Sequence, residues 1–198
     1  MRAARLAFHA VLLSAVFPIV PAFAAPALQA HRAVYDVTLN KASDRSGITG
    51  ISGRMVYEFN GSACEGYTAK FRFVTQIVTN DNTRLTDQQT TTFEDAEGKT
   101  FSFVTKSFVD QNLDKEVRGI ATKDPKGLKV DIDKPEKSSM ELAATQFPTQ
   151  HLVEMIGKAE KGENFYQTNL FDGSEDANKV MTTTVVVGSS TIAGPWRR

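Results

Sequence analysis

The sequence of 198 residues is poor in the residues that usually build catalytic and metal sites. It contains one cysteine, Cys64, one tryptophan and three histidines, of which only His31 and His151 lie beyond residue 24. Transition-metal sites typically use three or four His, Cys or carboxylate ligands, so we expect no metal ion and no cofactor. The sequence also lacks a Gly-x-Ser-x-Gly nucleophile motif and a complete P-loop. We therefore predict no catalytic residues and no enzyme activity.

Neither sign of charge is in excess, and long apolar runs are missing after the N-terminus. The 23 basic and 23 acidic residues cancel, which argues against nucleic acid as a partner, because such proteins carry a basic surface. No run beyond residue 24 is long enough to cross a bilayer. We expect a mature chain that does not span the membrane.

The first 24 residues have the layout of a cleavable signal peptide. Arg2 and Arg5 precede an apolar segment over 6–20, and Ala22-Phe23-Ala24 supplies small residues where a signal peptidase cuts. The alternative, a membrane anchor, is disfavoured because the apolar segment is short for a bilayer span. We predict a signal peptide over residues 1–24 with cleavage after Ala24, and a periplasmic location in a Gram-negative host. Residues 25–188 would form one domain, and residues 189–198 a tail of different character.

The sequence pattern of the mature chain predicts mainly strands. Alternating apolar and polar residues predict strands over 33–39, 54–59, 67–78, 85–93, 100–109, 117–122, 128–133, 164–171 and 179–187. The short connections favour antiparallel neighbours. One helix is predicted over 149–159, with Pro148 at its start and Gly162 after its end. The fold class is therefore all-β, mainly antiparallel, with one helix, and an open barrel-like sheet is favoured over a sandwich.

Several residues with possible chemistry have simpler interpretations. Cys64 and His151 could form a thiol nucleophile and its base, but nothing in the sequence brings them together, and we interpret His151 as structural. The segment 172–176 resembles the start of a calcium loop, but Ala177 replaces the required glycine, so a turn is predicted. Glu94 and Asp95 fall at a strand end and are interpreted as a solvated pair.

Two further sets of residues leave alternatives open. The polar run over 87–92 indicates an exposed strand or a groove for a ligand or partner strand. The four phenylalanines that alternate on two predicted strands either fill a closed core or line an open cavity; they are Phe71, Phe73, Phe101 and Phe103.

Six segments in order resemble the EipB family of periplasmic envelope-integrity proteins, long known as a domain of unknown function. The segments span 30–36, 53–59, 61–68, 91–95, 147–151 and 170–174. The resemblance implies a β-spiral, an open and overgrown antiparallel barrel with a helix near its centre. It also implies a role in maintaining the envelope without an established enzymatic activity, and a disulfide between the cysteine matching Cys64 and one near the C-terminus.

The sequence departs from this family pattern after Gly188. Family members are longer, and residues 189–198 contain no cysteine and no strand pattern. We expect a truncated or frameshifted product whose Cys64 is a disulfide half-site without its partner. The predicted function is non-enzymatic binding of an envelope component or a periplasmic protein. The alternatives are a lipid or lipoprotein carrier similar in architecture to the Lol carriers and, less favoured, a hydrolase of envelope polymers.

Overall fold

The computed structural model describes residues 28–174 and 176–188. The predicted signal peptide over residues 1–24 and the predicted tail over residues 189–198 lie outside the described residues.

Eight strands form one antiparallel sheet in which each strand pairs with the next along the chain. These strands are β1 (His31–Thr38), β2 (Ile48–Ser62), β3 (Gly66–Thr79), β4 (Thr83–Glu94), β5 (Thr100–Val109), β6 (Asn112–Asp124), β7 (Gly127–Lys134) and β8 (Ser138–Leu142). A short 3-10 helix, Asp44–Ser46, precedes β2. Within the part of the chain that the structure describes, β1 and β8 are the two edges of this sheet and do not pair with each other. The sheet is therefore open, as predicted.

A helix and a hairpin complete the described fold. Helix α1 spans Pro148–Glu160, and strands β9 (Phe165–Leu170) and β10 (Met181–Val186) form a separate two-stranded antiparallel sheet. Pro148 stands at the start of α1, where its missing N–H is not needed. Gly162 follows the helix end with a positive φ of 81°, a conformation that favours glycine.

The hydrophobic core lies on one face of β5–β8, which we call the inner face. Strand alternation places Phe101, Phe103, Val130 and Ile132 on this face, and all four are buried. Two aromatic residues outside the eight-stranded sheet complete the core. Phe147 stacks on Phe101 with ring centroids 5.1 Å apart, and Phe171 meets Phe103 edge to face at 5.8 Å.

Helix α1 contributes no buried residue. Its predicted apolar positions, which are Leu152, Met155, Ile156 and Ala159, are only half-buried. The residue that fills the core is instead Phe147, which immediately precedes the helix and is fully buried. Amphipathic spacing located the helix correctly, but the main anchoring apolar side chain lies one residue before it.

The predicted strands are confirmed, with different lengths. Strand β2 extends well beyond the predicted 54–59, because Ile48–Gly53 continues the pairing with β3 despite two glycines. Strand β8 was not predicted, since Ser138–Leu142 is short and offers only Met140 and Leu142 as apolar residues. Those two side chains pack against the core, which explains why so polar a segment forms a strand.

Candidate functional site

A groove formed by described residues lies on the face of the sheet opposite the core, which we call the outer face. Because successive residues of a strand point to opposite faces, burial of Phe101 and Phe103 turns Ser102 and Val104 outward. The groove crosses neighbouring strands along three residues that lie opposite one another in the strand register, which are Phe93, Ser102 and Ile120. This outer groove has a volume of about 870 Å³, within the range of small-molecule sites.

The floor of the outer groove is apolar and accessible. Phe93 is 40% exposed and Ile120 is 52% exposed, and Val104 lies beside them in the lining. Exposed apolar side chains are common singly, but contiguous ones within a concave surface mark a binding site. The outer groove can thus remove an apolar group of a ligand or partner from water.

The charges at the rim of the outer groove are largely paired with one another. Arg118 contacts Glu116 at 2.6 Å and Asp133 at 3.9 Å, and Lys129 contacts Asp131 at 2.9 Å. Hydrogen bonds from Ser139 and Lys129 lower the pKa of Asp131. The rim therefore presents balanced charge, so apolar contact rather than a net field governs what binds.

Gly119 shapes the sheet between the outer groove and the core. A Cβ atom at this position would lie 2.7 Å from the carbonyl oxygen of Asp131 and 2.8 Å from the ring of Phe103. Only glycine lets the Phe103 ring lie against β6, so the core and the outer groove depend on the same residue.

A second cleft, of about 450 Å³, lies where the start of α1 meets the β4–β5 turn. Glu94 is 3% exposed and accepts hydrogen bonds from the backbone amides of Thr149 at 2.8 Å and Gln150 at 3.3 Å. Burial raises the pKa of Glu94, and these hydrogen bonds oppose the shift. The prediction of a solvated Glu94–Asp95 pair is wrong, since Glu94 joins the helix to the sheet.

Lys123 lies beside this junction. Its ammonium group donates to the Gln150 side chain and sits 4.5 Å from the centroid of the Phe147 ring. Burial lowers the pKa of Lys123, while Glu94 and Asp95 oppose that shift. This group of residues explains how the start of the helix is fixed on the sheet.

A polar cluster lies between α1 and β9. Gln146 Nε2 donates to Glu154 and to Thr168, each at 2.7 Å, and lies 3.4 Å from His151 Nδ1. The rings of His151 and Tyr166 are 6.5 Å apart. The contacts of His151 lie between the helix and the hairpin, which agrees with its interpretation as a structural residue.

The other residues considered in the sequence are separate from one another. Cys64 is a free, exposed thiol in the β2–β3 turn, and none of the contacts of His151 involves it. The disulfide half-site assignment of Cys64 stays a prediction. Asp172 accepts a hydrogen bond from the Ser174 amide, which stabilises a turn. Asp176 pairs with Lys115 of β6 at 2.6 Å, which anchors this turn to the sheet. Among residues 28–174 and 176–188, no group of three or more His, Cys, Asp or Glu residues is placed to hold a metal ion.

The polar run over 87–92 is neither an edge nor an uninterrupted exposed strand. It belongs to β4, which pairs on both sides, and Asp87 forms a two-point ion pair with Arg72 at 2.8 and 3.1 Å. Thr91 lines the outer groove. Part of this polar run therefore contributes to the groove that the sequence left as an alternative.

The four phenylalanines divide into two pairs. Phe101 and Phe103 belong to the closed core, whereas Phe71 and Phe73 are half-buried on the same face of β3. Neither proposal for the four residues holds for all of them.

None of the described helices is long and apolar enough to cross a membrane.

Comparison with known proteins gives consistent results. Residues 22–196 match the model of the EipB-like family. The cell envelope integrity protein EipB of Brucella abortus (strain 2308) is 60% identical over 159 residues, which are 80% of this chain and 57% of that protein. The crystal structure of a beta-barrel-like protein of a domain of unknown function from Brucella abortus superposes with a TM-score of 0.76 at 60% identity, over 80% of this chain and 67% of that one. This chain thus spans little more than half the length of its curated relative.

Proposed function

This chain belongs to the EipB-like family, and we propose that it is a periplasmic protein that maintains cell-envelope integrity by binding an envelope component or partner protein. The name of the Brucella relative supports the envelope role. The signal-like pattern of residues 1–24 supports export, with cleavage after Ala24. On this proposal, binding is the whole activity and no bond is made or broken.

The outer groove is the observation that carries the proposal. Its apolar floor, which includes Phe93 and Ile120, faces away from the core, so its side chains are not needed to fill the protein interior. Most of its rim charges are paired with one another, which leaves apolar burial as the main source of affinity. Such a surface is suited to holding a partner.

A lipid or lipoprotein carrier is the second candidate, and the volume of the outer groove favours it. A space of about 870 Å³ is large enough for a drug-sized or acyl ligand. On this alternative the floor of the groove holds hydrocarbon, and the protein is purified with bound lipid.

Deletion and complementation test the envelope role. Cells lacking the gene should become sensitive to detergent and to large antibiotics that an intact outer membrane excludes, and this chain should restore resistance. A chain carrying Phe93→Asp and Ile120→Asp should fail to restore it, because charges in the groove floor cost binding. Resistance that is unchanged by deletion would contradict the proposed function.

Matched control variants separate groove effects from general effects of exposed charge. Leu113 and Phe165 are exposed apolar residues outside the lining of the outer groove. A chain with Leu113→Asp and Phe165→Asp should complement like the unmodified chain. Mass spectrometry of organic extracts distinguishes the two candidates, since a carrier releases lipid and the groove variant does not, while a partner-binding protein releases none in either form.

A further inference from the structure

The exposed edge of β1 has an unusual property, which is that its sequence is complementary to itself. Strand β1 spans His31–Thr38, pairs with β2 on one side, and has no partner on the other among the described residues. It contains no proline and no register shift. Val34 is 47% exposed and Tyr35 is 52% exposed. Such an edge is a template for another strand.

The backbone groups that face outward can be identified. Leu39 donates its N–H to the carbonyl of Ile51 on β2, and it continues the register in which Val37 lies opposite Gly53. Because hydrogen-bonding direction alternates along an antiparallel strand, odd-numbered residues of β1 bond to β2. The even-numbered residues Arg32, Val34 and Asp36 direct their N–H and C=O groups away from the sheet.

We propose that two copies of this chain associate through antiparallel pairing of their β1 edges, with Val34 of each copy opposite Val34 of the other. In this register Arg32 of one copy lies opposite Asp36 of the second copy. All three positions are even, so each opposed pair exchanges two backbone hydrogen bonds. The unpaired backbone groups and the opposite charges are satisfied by the same register.

Neighbouring strands extend the charge complementarity. Within one copy, Arg32 contacts Glu58 at 2.8 Å and Asp36 contacts Arg54 at 2.7 Å. Across the joined edges the order becomes Glu58, Arg32, then Asp36 and Arg54 of the second copy. The signs alternate across four strands, and the twofold axis repeats the pattern. Opposite charges in opposed positions stabilise a sheet, and like charges destabilise it.

Other registers lose this match. Shifting the pairing so that Tyr35 lies on the axis places Asp36 opposite Val34. A further shift places Asp36 opposite Asp36, and the reverse shift of the same size places Arg32 opposite Arg32. The register with Val34 on the axis also sets Tyr35 opposite the smaller Ala33, which suits packing on the inner face. Complementarity therefore selects one register and one occupant, a second copy.

Charge-reversal variants give a direct test by sedimentation over a range of protein concentrations. The exported full chain should show a reversible change towards twice the monomer mass, measured with reductant so that the exposed Cys64 does not cross-link copies. Arg32→Asp and Asp36→Arg should each be monomeric, because like charges then face each other. Mixing the two variants should restore the doubled mass, since each reversed charge meets its opposite.

Two further variants guard against misfolding and chance effects. Lys126→Asp changes an exposed residue of the β6–β7 turn and should associate like the unmodified chain. Val34→Pro removes an outward-facing N–H without removing a hydrogen bond to β2, and it should abolish association. An unmodified chain that stays monomeric at every concentration would overturn the proposal and point to a strand of another protein. Association that survives both single charge reversals, or a mixture that stays monomeric, would also overturn it. None of these outcomes depends on the envelope role.

Discussion

Glu94 at the end of β4 accepts a hydrogen bond from the backbone amide of Thr149 in the first turn of α1, at 2.8 Å. The first amides of a helix lack intrahelical partners, and here a buried carboxylate from a strand 55 residues earlier supplies one. This contact fixes the start of α1 on the inner face of the sheet, where Phe147 enters the core.

We expect Glu94→Ala to lower the free energy of unfolding by about 1 to 3 kcal/mol, the usual effect of leaving buried donors unsatisfied. Glu94→Gln keeps one acceptor oxygen and should lose less. Urea denaturation measures both. Glu97→Ala is the control, because Glu97 is exposed and its ion pair with Lys99 lies at the surface, so its change should stay within about 0.5 kcal/mol. Equal losses for Glu94→Ala and Glu97→Ala would show that the helix cap contributes nothing.

The same carboxylate predicts a pH dependence of stability. Burial raises the pKa of Glu94 above its ordinary 4.5, so the folded state holds this proton more tightly than the unfolded state. The contribution of Glu94 to the free energy of unfolding is therefore largest below pH 4.5 and falls as the pH rises through the raised pKa. The stability difference between the unmodified chain and Glu94→Gln should decrease over this interval and then level off. Urea denaturation at a series of pH values measures it, and an increase over that interval would mean that the amides of Thr149 and Gln150 lower this pKa.

The strands and the helix could be predicted because their signals are local. Alternation of Phe101 and Phe103 with Thr100 and Ser102, and of Val130 and Ile132 with aspartate and lysine, specifies strand and buried face together. Strand β8 could not, since Ser138–Leu142 forms a strand only because Met140 and Leu142 meet a core assembled from distant residues.

The candidate site was accessible from the sequence only in part. The polar run over 87–92 suggested a groove, but the groove depends on the shape of six paired strands, which no single segment encodes. Glu94 looked solvated because it precedes a turn. Alternation with the apolar Phe93 also favours a solvent-facing Glu94, whereas the strand register places Glu94 opposite the buried Phe101, and its partner Thr149 is 55 residues away in the sequence.

The closed core and the half-buried part of the inner face should respond differently to truncation. Phe101 is 1% exposed and contacts the rings of Phe103, Phe147 and Phe171. Phe101→Ala should therefore destabilise the fold by about 3 to 5 kcal/mol, from lost burial and the cavity left behind. Phe73→Ala removes the same group from a half-buried position and should cost clearly less. Thermal and urea unfolding compare them, and similar losses would mean that Phe73 is buried in solution.

Two glycines should give opposite results when changed to alanine. Gly119→Ala would place a methyl group 2.7 Å from the carbonyl oxygen of Asp131 and 2.8 Å from the Phe103 ring, and overpacking of this kind typically costs about 1 to 3 kcal/mol. Gly157 lies within α1 with nothing within 4 Å of the added Cβ atom, so Gly157→Ala should stabilise the protein by about 0.5 to 1 kcal/mol through helix propensity. Urea denaturation of both variants measures the difference. Because the substitution is chemically identical, opposite signs isolate the packing around Gly119, and a stabilised Gly119→Ala variant would mean that Phe103 does not lie against β6.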